Sequence, residues 1–133
     1  MPIEVRGQSP LLEVFDMPTS LAFYRDKLGF EVTGDSGQGD ESGWVMLQLG
    51  GATIMLNTAY DDGQRPAAED PARVAAHHDT CIYFGCPDVD AAYEHIKASG
   101  IECGPPTVAP YGMKQLYLTD PDNYNLCFQW RVE

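Results

Sequence analysis

The stretch YLTDPDNYNLCFQW, residues 117–130, has the pattern of two β-strands joined by a tight turn. Apolar and polar residues alternate on both sides of Asp120-Pro121-Asp122-Asn123, as expected for strands with one buried face. Proline presets the backbone of such a turn, Asp can bond local backbone groups, and Asn tolerates a left-handed conformation. Residues 117–130 therefore predict a β-hairpin whose second strand carries Cys127.

The part of the chain before this hairpin is similar to a segment about 70 residues earlier. Residues 11–32 (LLEVFDMPTSLAFYRDKLGFEV) and residues 81–103 (CIYFGCPDVDAAYEHIKASGIEC) share the order strand, Asp, helix and Gly. Asp16 and Asp88 precede the two helical patterns, and Gly29 and Gly100 follow them. The helical spacing rests on these apolar residues: Leu21, Tyr24 and Leu28 in the first, and Val89, Ala92, Tyr93 and Ile96 in the second.

A pair of strand-like runs follows each predicted helix. The first pair, residues 43–50 and 51–58, is joined through Gly50-Gly51, and the second pair contains the hairpin described above. Both halves are therefore interpreted as βαββ units of an α+β fold. We expect a single domain, 1–133, with module one at about 9–57, a linker at about 58–79 and module two at about 80–131. A flap over a pocket is an open alternative for the linker, and residues 71–76 have the composition of a short helix.

The charge balance limits the classes of partner. Twenty acidic residues against eight basic ones give a formal net charge of −12. Such a surface repels nucleic acid and anionic membranes, because binding to either depends on cationic side chains, whereas it favours cationic ligands. The N-terminal residues have no basic region followed by an apolar run, so we expect a cytoplasmic protein. The four cysteines are then expected as thiols: Cys81, Cys86, Cys103 and Cys127. The sequence contains no CxxC pair, the pattern that would indicate a zinc ribbon.

Two sequence motifs resemble those of a known family. FYRDKLGF (residues 23–30) and LYLTDPDNYNL (residues 116–126), placed in tandem βαββ units, resemble the vicinal oxygen chelate superfamily over about residues 10–130. This group contains glyoxalase I, extradiol dioxygenases, fosfomycin-resistance thiol transferases and bleomycin resistance proteins. The resemblance implies a curved, U-shaped mixed sheet around a central cleft, and it leaves the reaction open because one fold hosts many functions.

The resemblance also identifies the positions at which metal-dependent members place His, Gln or Glu. These positions fall on Ser9, on Met55 with Asn57 two residues later, on Cys81 and on Cys127. Serine and methionine are poor ligands for hard divalent ions, so we expect no metal and no cofactor. Two alternatives stay open: the thiols of Cys81 and Cys127 bind a soft metal or react as nucleophiles, or His78 takes the third position. Burial as small residues is the favoured interpretation of both cysteines.

Strand alternation predicts which residues face the core and which face the cleft. We expect the core face to carry Leu12, Val14, Val45, Leu47, Leu49, Ile54 and Leu56 in module one, and Ile82, Phe84, Leu126, Phe128 and Trp130 in module two. The opposite face includes Leu11, Gln48, Thr53, Gln115 and Asn125. The predicted ligand-binding residues are Glu13, Phe15, Trp44, Met46, Met55, Asn57, Cys81, Tyr83, Tyr111, Tyr117, Cys127 and Gln129.

This predicted lining is aromatic and carries neutral hydrogen-bonding groups, with Glu13 as its charged member. It is typical of a site for a flat organic ligand. The leading hypothesis is a metal-free small-molecule-binding homodimer that sequesters an aromatic or cationic compound. The alternatives are a metal-dependent lyase, isomerase, dioxygenase or thiol transferase of the same fold, and a regulatory subunit that binds a protein partner.

Overall fold

A computed structural model describes residues 2–61 and 63–133. Met1 and Asp62 lie outside the described residues, although the predicted domain contains both and the predicted linker contains Asp62. The elements in chain order are β1 (Leu11–Val14), α1 (Met17–Leu21), a π-helical continuation of α1 (Ala22–Lys27), β2 (Glu31–Asp35), a 3-10 turn (Gly39–Glu41), β3 (Trp44–Leu49), β4 (Ala52–Thr58), α2 (Pro71–His77), β5 (Cys81–Gly85), α3 (Val89–Ala98), β6 (Thr107–Val108), β7 (Met113–Thr119) and β8 (Asn125–Arg131).

The strands form two mixed sheets of four strands with the same topology. The orders are β1-β4-β3-β2 and β5-β8-β7-β6, with β1 parallel to β4, β5 parallel to β8 and the other pairs antiparallel. The predicted α+β class with tandem βαββ modules is confirmed. Each module has one further edge strand, β2 or β6, that was not predicted. Strand β2 is mostly exposed and contains a bulge, and β6 has two residues, so neither shows an alternating pattern.

The predicted helix signals have the expected geometry. The carboxylates of Asp16 and Asp88 accept hydrogen bonds from the backbone N–H groups of Thr19 (3.1 Å) and Ala91 (3.0 Å) at the first turns of α1 and α3. Gly29 follows the first helix with a φ of 98°. Asn123 in the predicted hairpin turn has a φ of 72°, the left-handed conformation for which Asn is suited.

One hydrophobic core extends through both modules. The ring centroids of Phe30 and Phe84 are 6.1 Å apart, and Phe84 stacks on Phe128 at 4.9 Å, so the two modules share aromatic contacts. The predicted core residues Leu12, Val14, Val45, Leu47, Ile54, Leu56, Phe84, Leu126 and Phe128 are buried, and Leu49, Ile82 and Trp130 are partly buried against them. The alternation that predicted the core face is therefore confirmed in both sheets.

The turn between β7 and β8 joins the second module to the first. The hydroxyl of Tyr24 donates a 2.6 Å hydrogen bond to Asp120, and the backbone N–H of Phe15 donates a 2.8 Å bond to Asp122. The Ser20 hydroxyl also donates to Asp122 at 3.3 Å. Burial raises the pKa of Asp120 to about 6, although the bonds from Tyr24 and the turn backbone oppose that rise. The carboxyl groups of Asp120 and Asp122 therefore accept hydrogen bonds that join the second module to the first.

Tyr124 closes the free edge of β1. Its hydroxyl accepts a hydrogen bond from the backbone N–H of Glu13 at 3.1 Å and lies 3.2 Å from the carbonyl oxygen of the same residue. The ring of His77, at the end of α2, stacks on Tyr124 with centroids 4.1 Å apart. The Tyr124 side chain of the second module thus pairs with the backbone N–H and C=O of Glu13, which a further strand would otherwise pair. In the described ranges, no helix combines the length and apolar character that crossing a bilayer requires.

Candidate ligand-binding site

The predicted cleft residues of the second module form a row on the face of its sheet opposite the hydrophobic core, which we call the outer face. Tyr83 on β5 and Tyr117 on β7 both lie opposite Cys127 on β8. The two phenol oxygens are 3.1 Å apart, and the rings meet edge to face with centroids 6.3 Å apart. Tyr83 is 51% exposed and Tyr117 44% exposed, whereas Cys127 is 0% exposed. A ligand on this face therefore contacts the tyrosines, and Cys127 forms the buried floor between them.

A second row on the same face is polar and uncharged. The side-chain amide of Gln115 donates to the Tyr111 hydroxyl and to the side-chain amide oxygen of Gln129, both at 2.9 Å. Gln115 is buried by these contacts, Gln129 is partly exposed and Tyr111 is exposed. The network fixes the Tyr111 hydroxyl beside the tyrosine pair. The second module thus offers rings and neutral hydrogen-bonding groups on one surface.

The outer face of the first module carries a carboxylate and an indole. Glu13, Asn57 and Trp44 are neighbours across β1, β4 and β3, and the Asn57 amide lies 3.4 Å from both Glu13 carboxylate oxygens. The Trp44 ring packs over Gly34, where an added Cβ would lie 3.7 Å from it. The indole and the carboxylate thus lie on the same face two strands apart, with Asn57 between them.

Two methionines continue this face toward the N-terminal residues. Met46 and Met55 are directly opposite each other on β3 and β4, and Leu11 lies opposite Met55 on β1. The Ser9 hydroxyl lies 3.7 Å from the Met46 sulfur. Both thioethers are partly exposed, so they add an adaptable apolar surface next to Trp44 and Glu13.

Phe15 departs from the strand row to which it was assigned. It follows the end of β1 and is covered by the Arg65 guanidinium, whose carbon lies 5.2 Å from the ring centroid. Tyr60 meets Phe15 edge to face at 6.3 Å. Arg65 also forms an ion pair with Asp16. Sequence reasoning missed Tyr60 and Arg65 because they belong to the linker, where no periodic pattern predicts which side chain returns to the first module.

The thiols lack the features of reactive cysteines. Burial raises the pKa of Cys81 and of Cys127, so both remain protonated near neutral pH. Cys81 lies opposite Asn125 in the neighbouring row and is partly exposed. Burial likewise raises the pKa of Cys86 and Cys103. Activation of either predicted cysteine as a nucleophile therefore has no support in its surroundings.

The donors at the family's metal positions do not fit a hard divalent ion. Ser9 interacts with a thioether, Met55 offers sulfur, and Cys81 and Cys127 are protonated thiols with one fully buried. Within residues 2–61 and 63–133, no three His, Cys, Asp or Glu side chains are grouped as metal ligands.

The three histidines have structural partners. The Nδ1 atom of His77 donates to the Asp122 carbonyl oxygen at 2.8 Å, and that of His78 contacts the Asn123 amide oxygen at 3.2 Å. The Nε2 atom of His95 donates to the Lys27 carbonyl oxygen at 2.9 Å. The alternative of His78 as a metal ligand is not favoured, because its ring is bonded to the hairpin turn.

Comparison with known proteins agrees with this architecture. The family model described as Glyoxalase/Bleomycin resistance protein/Dioxygenase superfamily matches residues 9–128, and the chain belongs to this family. A bleomycin resistance protein of Geobacillus stearothermophilus is 31% identical over 132 residues, which cover 93% of this chain and 96% of the relative.

Two solved structures share the fold at low sequence identity. TioX from Micromonospora sp. ML1 superposes with a TM-score of 0.70 at 16% identity, covering 95% of this chain and 100% of that chain. A bleomycin-binding protein complexed with bleomycin superposes with a TM-score of 0.69 at 20% identity, covering 96% of this chain and 100% of that chain. These structures confirm the fold, and the family-model match over residues 9–128 confirms the predicted superfamily.

Proposed function

We propose that this protein binds a small organic molecule on the outer faces of its two sheets and sequesters it without chemical conversion. The observation that carries the proposal is the exposed Tyr83–Tyr117 pair, set in a surface of neutral hydrogen-bonding groups. Similarity to a bleomycin resistance protein and to a bleomycin-binding protein supports a binding function. Sequestration requires affinity alone, which agrees with protonated thiols and unsuitable metal donors.

The ligand class we propose is aromatic, cationic or both. Tyr83, Tyr117 and Trp44 offer rings for stacking, and Tyr111 and Gln129 offer hydrogen bonds at the edge of a planar ligand. Glu13 supplies a carboxylate on the same face as the Trp44 indole, two strands away. The net charge of −12 favours encounter with a cation.

We further propose a cytoplasmic homodimer. Leu11 is 45% exposed on the outer face of the first sheet, next to the partly exposed Met55, so this face offers apolar area to a second copy. Four free thiols agree with a reducing compartment. Sedimentation at about 50 μM, a concentration above the Kd of ordinary stable dimers, should give the mass of two chains, and a single-chain mass would overturn the dimer.

Calorimetric titration with bleomycin and with planar aromatic cations tests the binding function. We expect saturable binding that weakens about two- to tenfold in Tyr117→Leu, because a stacked ring pair contributes about 0.5–1.5 kcal/mol. Glu13→Gln should weaken the binding of the cations and leave the affinity for neutral aromatic compounds unchanged. Tyr93→Leu, a tyrosine on α3 outside the outer sheet faces, is the matched control.

Metal analysis separates this function from the enzymatic alternative. The purified protein should bind its ligand equally before and after treatment with a chelator. A stoichiometric ion that is lost in Cys81→Ser or Cys127→Ser, together with turnover of the bound compound, would contradict sequestration.

A further inference from the structure

A groove of about 500 Å³ lies at one end of the first sheet, where β1 and β4 end and β3 begins. On one side it is lined by residues that precede β3, and on the other by the last residue of β4 and described residues after it: Gln38, Glu41 and Gly43, and Thr58, Tyr60, Asp61, Gly63 and Arg65. Of the predicted site residues, only Phe15 is among the described residues that line it. Small-molecule sites typically enclose about 300–1,000 Å³, so the groove has the size for an organic ligand.

Aromatic rings on the wall of this groove already contact cations. Phe15 and Tyr60 both line the groove and meet edge to face. The guanidinium of Arg65 lies 5.2 Å from the Phe15 centroid, and that of Arg73 lies 5.5 Å from the Tyr60 centroid. One face of each ring is thus occupied by a guanidinium of the chain itself, at a position where the ring quadrupole attracts positive charge.

The charged groups along the groove favour a cation over an anion. Glu41 and Asp61 line it with exposed side chains, and neither has an ion-pair partner in the described part of the chain. Arg65 also lines the groove, but its charge is matched by Asp16, which it contacts directly. The hydrogen bond from Thr19 and the contact with Arg65 lower the pKa of Asp16, so its carboxylate is ionised at neutral pH. The groove therefore presents a net negative charge beside two rings.

We propose that this groove is a second ligand site, which binds a small organic cation, such as a substituted amine or guanidine with an apolar body. Glu41 and Asp61 attract the charge, and the rings of Phe15 and Tyr60 hold the body of the ligand. The site is separate from the outer sheet faces, so it does not depend on the function proposed above.

NMR titration of the full chain with benzylguanidinium tests this site, with benzyl alcohol and benzoate as neutral and anionic comparators. We expect the backbone amide shifts to change most at Gly43, Thr58 and Gly63, with a Kd below about 10 mM, as a ligand of this size allows. Benzyl alcohol should bind more weakly, and benzoate should leave these amides unchanged. Changes concentrated at Tyr83 and Tyr117, or equal binding of benzoate, would overturn the proposal.

Substitutions on the groove walls give a second, independent readout. Tyr60→Leu and the double variant Glu41→Gln/Asp61→Asn should each weaken benzylguanidinium about two- to fivefold, as expected for partly exposed cation–π and ionic contacts. Arg65→Gln removes a positive charge from the groove wall and should strengthen the binding of benzylguanidinium. Glu102→Gln, an exposed charge on the second module, is the matched control and should change nothing. Unaltered affinity in both weakening variants, with folded spectra, would overturn the site.

Discussion

Tyr83 and Tyr117 lie on either side of Cys127, and their hydroxyl oxygens approach to 3.1 Å above it. The hydrogen bond between them, with burial, raises the pKa of Tyr117, so this phenol stays protonated in the physiological range. The pair therefore presents uncharged rings at the surface and covers the thiol beneath. The accessible chemistry of this face belongs to the phenols and not to the sulfur.

Cys127 should resist alkylation in the folded protein. Its side chain is fully buried and its pKa is raised by burial, whereas Cys81 is partly exposed. With iodoacetamide at pH 8 and peptide mass spectrometry, we expect Cys127 to be labelled last. The double variant Tyr83→Ala/Tyr117→Ala should speed its labelling at least about tenfold, because the rate follows access to the thiolate. Tyr111→Ala is the control, and labelling of Cys127 as fast as Cys81 would contradict the buried floor.

Asp120 should make stability depend on pH between about 4 and 6. Burial raises its pKa from 3.8 to about 6, so the folded state binds a proton that the unfolded state has lost. This contribution is complete below pH 4 and disappears as the pH rises through 6. Relative to the natural chain, Asp120→Asn should therefore gain up to about 3 kcal/mol in unfolding free energy between pH 4 and 7.

Urea unfolding across this pH range measures the Asp120 effect, with Asp40→Asn as a comparison of opposite sign. The hydrogen bond from Arg25 lowers the pKa of Asp40, so that carboxylate stabilises the fold at higher pH and loses its effect as the pH falls. A stability difference between Asp120→Asn and the natural chain that is constant with pH would show that Asp120 does not titrate in this window.

Tyr124→Phe should weaken the contact between modules. The substitution removes the hydroxyl that pairs with the backbone N–H and carbonyl of Glu13 at the free edge of β1. We expect a loss of about 1–2 kcal/mol in unfolding free energy, the usual result of leaving partly buried polar groups without a partner. Tyr93→Phe on α3 removes a hydroxyl outside this contact and should be close to neutral, so equal losses in the two variants would contradict the role of the edge contact.

Asp16 combines a helix cap with the ion pair to Arg65, and two substitutions separate these roles. Asp16→Ala removes both and should cost about 0.5–2 kcal/mol, because the Thr19 N–H loses its acceptor. Asp16→Asn retains an acceptor and should lose less than about 1 kcal/mol. Thermal unfolding checks the order, and equal losses would assign the whole effect to the ion pair.

The repeat and the strand alternation explain why the architecture could be predicted. A side-chain period of two assigns every residue of β3 and β4 to one face, so Leu47 and Leu56 were placed in the core without knowledge of the sheet order. The helix caps at Asp16 and Asp88 were evident from local residue types. Strands β2 and β6 were not predicted, because short and exposed edge strands show little hydrophobic alternation.

The candidate site was less accessible to sequence reasoning, since it depends on side-chain direction. Alternation places Cys127 on the outer face, but only the inclination of Tyr83 and Tyr117 toward each other buries it. Phe15 follows the same alternation, yet it lies beyond the end of β1 and packs against Arg65 of the linker. Contacts between segments 50 residues apart have no local signature in the chain.

The two hairpins that end the modules are not equivalent, although the modules share one topology. Gly50-Gly51 in the first carries no side chain that can bond, while Asp120 and Asp122 in the second hold the first helix. A protein assembled from two copies of the first half would therefore lack the acid pair that orients one half against the other. Internal duplication accounts for the shape of this chain, and divergence at a single turn makes its halves complementary rather than interchangeable.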